Sequence, residues 1–166
     1  MKEFIVKIHS FLTNNQEKLD ILYSSYDTFD INEIKSQLLK QLNESFDKDF
    51  RLGYTNVGPH RDDLKFYINN TEVKTFASQG QQRTVALSIK LAEVEIFKQV
   101  AKEYPVLLLD DVLSELDKDR KNNLLKIINR YQTIITTTEI EQNDDLFIIN
   151  INSGKIIKTD IIGSFV

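Results

Sequence analysis

Asp110 and Asp111 follow directly on the apolar run Val106-Leu107-Leu108-Leu109, and two carboxylates in that position suit Mg²⁺-assisted phosphoryl chemistry. The run lacks polar alternation, which predicts a strand covered on both faces, as in a parallel sheet flanked by helices. Ligands of such sheets sit outside the carboxyl ends of the strands. A Mg²⁺ ion there would meet Asp110 directly or through water, and Asp111 would orient a water for attack on a γ-phosphate. An ordinary loop can also begin with Asp-Asp, so the run by itself leaves both readings open.

A second polar segment lies upstream, Ser78-Gln79-Gly80-Gln81-Gln82-Arg83, running into a helical pattern over residues 82–102. A serine, a glycine and amide side chains at a helix start make an anion site, because the unpaired N–H groups and the positive end of the helix dipole both favour a phosphate. The same residues also serve as a plain N-cap, with Ser78 or Gln79 satisfying the first turn.

Taken together and in this order, the segments resemble the second half of an ABC/SMC-type ATPase head. Residues 78–83 are similar to the signature loop, residues 106–111 to the Walker B strand, and Ser114-Glu115-Leu116-Asp117 to the D-loop. Residues 132–139 resemble the strand and switch that follow, with Thr138 where most such ATPases carry histidine. That departure, with Gly58-Pro59-His60-Arg61-Asp62-Asp63-Leu64, gives a resemblance to the RecF family over roughly residues 50–140.

The resemblance implies a fold and a set of roles. The fold is α/β, the carboxy-terminal part of a P-loop ABC/SMC-like ATPase head with a helical lever-arm segment. Residues 1–50 would form a strand plus helical arm, and residues 51–166 the carboxy-terminal lobe. Family members bind DNA, form ATP-dependent homodimers, and assist recombinase loading on gapped or single/double-strand junction DNA with other recombination mediator proteins, in repair and the SOS response. Asp110 would be the metal ligand, and Asp111 and Thr138 the catalytic pair. Ser78, Gln79, Gly80, Gln81 and Arg83 would meet a nucleotide held by the opposite subunit. Arg83 would either pair with carboxylates near that interface or cap its helix. ATP and Mg²⁺ are the implied cofactors, with slow turnover that acts as a clamp switch.

A complete P-loop ATPase needs G-x-x-x-x-G-K-[ST] to enclose the β- and γ-phosphates, and none of the five glycines starts that motif. The missing amino-terminal half is therefore an expected partner. Asp110 and Asp111 would serve its nucleotide.

The 166 residues are 41% hydrophobic, enough for a substantial core, and contain no cysteine, which excludes disulfides and thiolate metal sites. Neither a membrane-length apolar stretch nor a signal peptide is legible, so the expected compartment is the cytoplasm. A net charge of −4 gives no overall basic footprint for DNA. Any DNA contact must be local, with His60 and Arg61 as candidates; Lys65 and Lys74 beside them read as solvated surface.

The positioning elements follow from periodicity. Phe4, Ile8, Phe11 and Leu12 predict a helix over residues 3–12, and Leu19, Ile21 and Tyr23 a half-buried strand. Ile31, Ile34, Leu38, Leu42 and Phe46 form the stripe of an arm helix. Residues 64–68 and 72–73 predict a hairpin about Asn69-Asn70, and residues 147–151 and 155–158 another about Asn152-Ser153-Gly154. The 82–102 helix, with Val85, Ala86, Ile89, Ala92, Val94 and Ile96, is apolar enough to be mostly covered against the sheet. Residues 118–130 predict a further helix with Leu124, Leu125, Ile127 and Ile128 inward.

His60-Arg61-Asp62 superficially resembles a kinase catalytic loop, but the accompanying Gly-rich loop, V-A-I-K lysine and Asp-Phe-Gly are absent. Two other classes stay in view. A metal-dependent nuclease or TOPRIM-like domain would use Asp110 with Asp117 or Asp119, since two-metal chemistry needs clustered carboxylates. A non-enzymatic dimerisation or docking module would need none of them.

Overall fold

The computed structural model describes residues 1–23, 30–138 and 147–161. Helix α1 (Lys2–Leu12) leads to strand β1 (Leu19–Tyr23), and the long helix α2 (Ile31–Leu52) follows. A 3₁₀ turn at Pro59–Arg61 precedes β2 (Leu64–Ile68), β3 (Thr71–Glu72), the short α3 (Val73–Phe76) and α4 (Gln79–Ala101). Strand β4 (Leu107–Asp110), a 3₁₀ turn at Leu113–Glu115, α5 (Lys118–Ile128) and β5 (Thr133–Thr136) form a β-α-β unit. The terminal hairpin is β6 (Phe147–Asn152) and β7 (Lys155–Ile161).

Helix α4 is the spine. One flank carries Leu87, Leu91 and Val94 into a cluster with Leu109, Leu113, Leu116, Leu124, Ile127 and Ile128. The other sends Val85 and Ala92 against Ile5, Leu19, Ile21 and Ile68. Helix α1 packs along α4 and also meets α5, so the amino-terminal helix and strand share a core with the site-bearing elements. By contrast, α2 has no buried residue. It starts on Asp30, whose carboxylate accepts from the Asn32 and Glu33 amides, and stops at Gly53, where φ of 74° favours the residue without a Cβ.

Among the described residues three sheets form rather than one. β1 and β3 flank β2 in an antiparallel sheet, β4 and β5 pair in parallel, and β6 pairs with β7. The first hairpin turns where expected, with Asn69 and Asn70 both left-handed at φ of 50° and 67°. The β4–β5 register sets Asp110 opposite Thr136, with α5 as the crossover that parallel strands require.

Several expectations change. The buried stripe of α1 is Ile5, His9 and Leu12, and Phe11 is exposed. It follows the i, i+4, i+7 spacing but passes through a histidine that an apolar count omits. On α4, Ala86 is exposed, and Thr84 and Ser88 are buried because their hydroxyls donate back to the Gly80 and Thr84 carbonyls. The helix starts at Gln79, three residues before its apolar pattern, because its cap is Ser78. Most consequentially, β4 is covered on one face only. Leu109 is buried, but Leu108 is 70% exposed and its neighbour on β5, Ile134, is 58% exposed. Helix α4 and its cluster supply a layer on one side, and no described element supplies the other.

Candidate nucleotide-facing site

Asp110 is the last residue of β4, at the carboxyl end of the parallel pair. Its carboxylate accepts a hydrogen bond from the Thr136 hydroxyl. The next residue, Asp111, sits in the left-handed region at φ 50°, a conformation that costs energy for a residue with a Cβ but is tolerated better by Asp and Asn than by most. Three hydrogen bonds hold it there. The Asp111 amide donates to the Thr136 carbonyl at 3.0 Å and to the Thr136 hydroxyl oxygen at 3.1 Å, and the Ser114 hydroxyl donates to the Asp111 carbonyl at 2.8 Å. The chain thus turns sharply after β4, and both carboxylates are exposed at its mouth. Thr138 is exposed two residues beyond the end of β5, and Glu139 lies outside the described residues.

Ser78 begins α4 through a reciprocal capping box. Its hydroxyl accepts from the Gln81 amide at 3.2 Å, and the Gln81 side-chain oxygen accepts from the Ser78 amide at 3.0 Å. Ser78 and Gln79 are exposed, and Gly80 and Gln81 are half-buried. At Gly80 a Cβ would make only ordinary contact, 3.5 Å from Arg120 Nη1, so packing within the chain does not demand a glycine. Arg83, left open between two roles, forms an ion pair: its Nη2 lies 2.9 Å from Glu115 Oε1. That pair ties the first turns of α4 to the 3₁₀ turn after β4. Being about half exposed, it contributes little to stability. Its effect is geometric. Arg83, Glu115 and Asp110 line one groove of about 650 Å³, whose apolar wall includes Leu87, Phe97 and Leu108.

Of the local DNA candidates, His60 Nε2 donates to the Thr55 carbonyl at 2.9 Å, and the Arg61 guanidinium lies 5.4 Å from the Tyr54 ring centroid. Leu116 is buried in the main cluster and Asp117 caps α5 by accepting from the Arg120 amide at 2.9 Å. Among the described residues no group of three or more His, Cys, Asp or Glu side chains is gathered to hold a metal ion. The exposed Asp110 carboxylate, with the Thr136 hydroxyl beside it and Asp111 next in the chain, fits a Mg²⁺ ion held mainly by water and phosphate oxygens.

One cluster was not legible beforehand. Glu17, between α1 and β1, accepts from Gln81 Nε2 at 3.1 Å and Arg120 Nη2 at 2.7 Å on one oxygen. Its other oxygen faces His9 Nε2 at 3.1 Å. The contacts join positions 64 and 103 residues apart, which no local spacing reveals. Asn123 is similar: its buried amide donates to the Phe11 and Leu12 carbonyls at 3.1 and 3.3 Å, closing the end of α1.

His9 is fully buried, and burial pushes its pKa below the ordinary 6.5. The Glu17 carboxylate opposes that shift and the Arg120 guanidinium adds to it. At high pH the imidazole is neutral in both folded and unfolded chains and adds nothing to pH dependence. As pH falls through 6.5, the unfolded chain takes up a proton that the folded chain resists, so stability falls. The thermal midpoint is expected to drop between about pH 7.5 and 5.5, and the drop to flatten in His9→Gln. An unchanged slope in that variant would place the titration elsewhere.

No family model matches the chain. Curated relatives do. The chain is 49% identical over 142 residues to the DNA replication and repair protein RecF of Lachnoclostridium phytofermentans, covering 86% of this chain and 38% of that protein. It is 42% identical over 165 residues to the protein of the same name from Ligilactobacillus salivarius, covering 96% and 43%. A solved structure described as the recombination mediator protein RecF-ATP in the RecFOR pathway matches with a TM-score of 0.68 and 37% identity, over 95% of this chain and 43% of that one. The chain spans about two fifths of the length of the relatives it matches, and the matched portion is their carboxy-terminal part. Sharing both that sequence and that α/β fold, the chain belongs to the RecF family and corresponds to the carboxy-terminal part of its members.

Proposed function

We propose that this chain supplies the hydrolytic acids and the γ-phosphate-facing turn of a RecF-like ATP-dependent DNA clamp, one that dimerises on ATP and assists recombinase loading at gapped DNA. The observation that carries the reading is the Arg83–Glu115 ion pair at 2.9 Å, which couples the capped turn at Ser78 to the segment following the exposed Asp110-Asp111 pair. In this scheme Asp110 lies beside the Mg²⁺ of a nucleotide held by an amino-terminal half, and that ion would neutralise phosphate charge. Asp111 orients the attacking water. Ser78, Gln79, Gly80 and Gln81 offer the hydroxyl and the first amides of α4 to the γ-phosphate of the other subunit, where the helix dipole favours an anion. Thr138 stands near the same mouth as the switch residue, and the turn at residues 114–117 faces the partner. His60 and Arg61 contribute at most a local DNA contact. Residues 51–166 act as the carboxy-terminal lobe, and α2, which runs on to Leu52, is the projecting part of the arm proposed for residues 1–50.

The uncovered face of β4 and β5 supports the same scheme. Leu108 and Ile134 present an apolar surface that an amino-terminal half would cover, which also favours a docking role whether or not the acids are active. The test is to mix the chain with the complementary amino-terminal segment of a relative, then measure ATP-Mg²⁺-dependent association and hydrolysis. Nuclease activity without ATP would overturn the ATPase reading. Leu108→Asp is expected to leave this chain folded, since the side chain is already in solvent, and to reduce capture of the amino-terminal segment by about tenfold or more, read by pull-down and by light scattering. Capture at wild-type strength would remove that face from the interface.

A further inference from the structure

The mouth of the proposed site is built from segments far apart in sequence, and one carboxylate bridges two of them. Glu17 Oε1 accepts from Gln81, in the first turn of α4, and from Arg120, in the first turn of α5. The Glu17 side chain is 12% exposed and that of Arg120 17%, so the pair is drier than the Arg83–Glu115 pair and less screened. Arg120 also reaches Asp117 Oδ2 at 3.4 Å and sits where a Cβ on Gly80 would touch it. Gln81 is thereby held from two sides, through its oxygen by the Ser78 amide and through its nitrogen by Glu17.

We infer that Glu17 is a positioning residue: it locks the Ser78–Gln81 turn to the Asp117 end of the following segment, so that the surface offered to the second subunit's phosphate is one rigid unit. This rests on the γ-phosphate-facing reading of Ser78–Gln81 proposed above. Glu17 touches no reacting atom and acts through Gln81 and Arg120. Without its charge, residue 17 offers one neutral amide oxygen in place of a carboxylate, so the bonds from Gln81 and Arg120 both weaken and Asp117 is left as the charged partner of Arg120. The turn keeps its capping box but is free to rotate as the helix end frays.

The test uses Glu17→Gln, which preserves volume. In the chain alone, the Gln81 side-chain amide resonances are expected to be distinct and slowly exchanging in the wild type and averaged in the variant. In the mixture with an amino-terminal segment, ATP-driven association is expected to weaken by about tenfold while nucleotide affinity of the unassociated complex stays within about twofold. A residue needed only for folding would lower both together. Should Glu17→Gln fail to fold, Arg120→Lys, which keeps the charge but loses the forked contact, carries the same split. Association at wild-type strength, or parallel loss of nucleotide affinity, overturns the inference. Wild-type chains that ignore ATP overturn the underlying reading and this one with it, and the wild-type control separates that failure from a failure of Glu17 alone.

Discussion

Replacing Asp111 by asparagine is expected to slow ATP hydrolysis by about 10²- to 10³-fold, the size of a lost general-base or water-orienting group, while ATP-driven association survives. The substitution is well controlled by the backbone. Asp111 lies at φ 50°, where asparagine is among the residues that fit, and all three bonds that hold it there use main-chain atoms of residue 111. Alanine would add strain of its own and blur the result. Single-turnover hydrolysis in the mixture with an amino-terminal segment, beside an association assay, separates the chemical step from assembly. Turnover equal to wild type would remove Asp111 from the chemistry, and loss of association would recast it as a structural residue.

Ser78→Arg is expected to abolish ATP-driven association, leaving no self-association at concentrations about a hundredfold above the wild-type midpoint. Ser78 is exposed at the start of α4, and arginine there fills the space that a second subunit's phosphate would take. The change also removes the cap oxygen from the Gln81 amide, which costs about 0.5–2 kcal/mol. Ser78→Ala carries that cost without the bulk. The expected pattern is similar thermal midpoints for the two variants, with association weakened in Ser78→Ala and absent in Ser78→Arg. If both associate as wild type does, the turn faces solvent rather than a subunit.

The two substitutions probe opposite sides of one composite site. Asp111 would act on a nucleotide held with this chain, and Ser78 on the nucleotide of its neighbour. Mixing Asp111→Asn chains with Ser78→Arg chains is therefore expected to leave one intact site, which pairs Asp111 of the Ser78→Arg chain with Ser78 of the Asp111→Asn chain, while the other site carries both lesions.

Much of this arrangement was legible in residue order. A strand ending in Asp110-Asp111, a serine-capped helix and a crossover helix between parallel strands are local objects, each written within a dozen or two adjacent residues. Hydrophobic period, capping chemistry and turn residues specify such objects wherever they occur. The Asn69-Asn70 turn belongs with them, because two consecutive left-handed residues are a property of the side chains at hand.

Tertiary structure decided what those objects touch. Residue order left Arg83 open between pairing with carboxylates and capping its helix, and the segment around Glu115 folds back to within 2.9 Å of it. His9 has no place in the apolar stripe read for residues 3–12, and packing carries it to zero exposure beside Glu17. The run at residues 106–109 implied a strand with two covered faces, yet the described residues provide a layer for only one, since periodicity records that a side chain avoids water and not which chain shelters it. Sequence therefore determined the chemistry available at the end of β4 and the start of α4. Long-range packing alone determined that Glu17 and Arg83 join those ends into one surface, because contacts between distant positions leave no periodic trace in the chain.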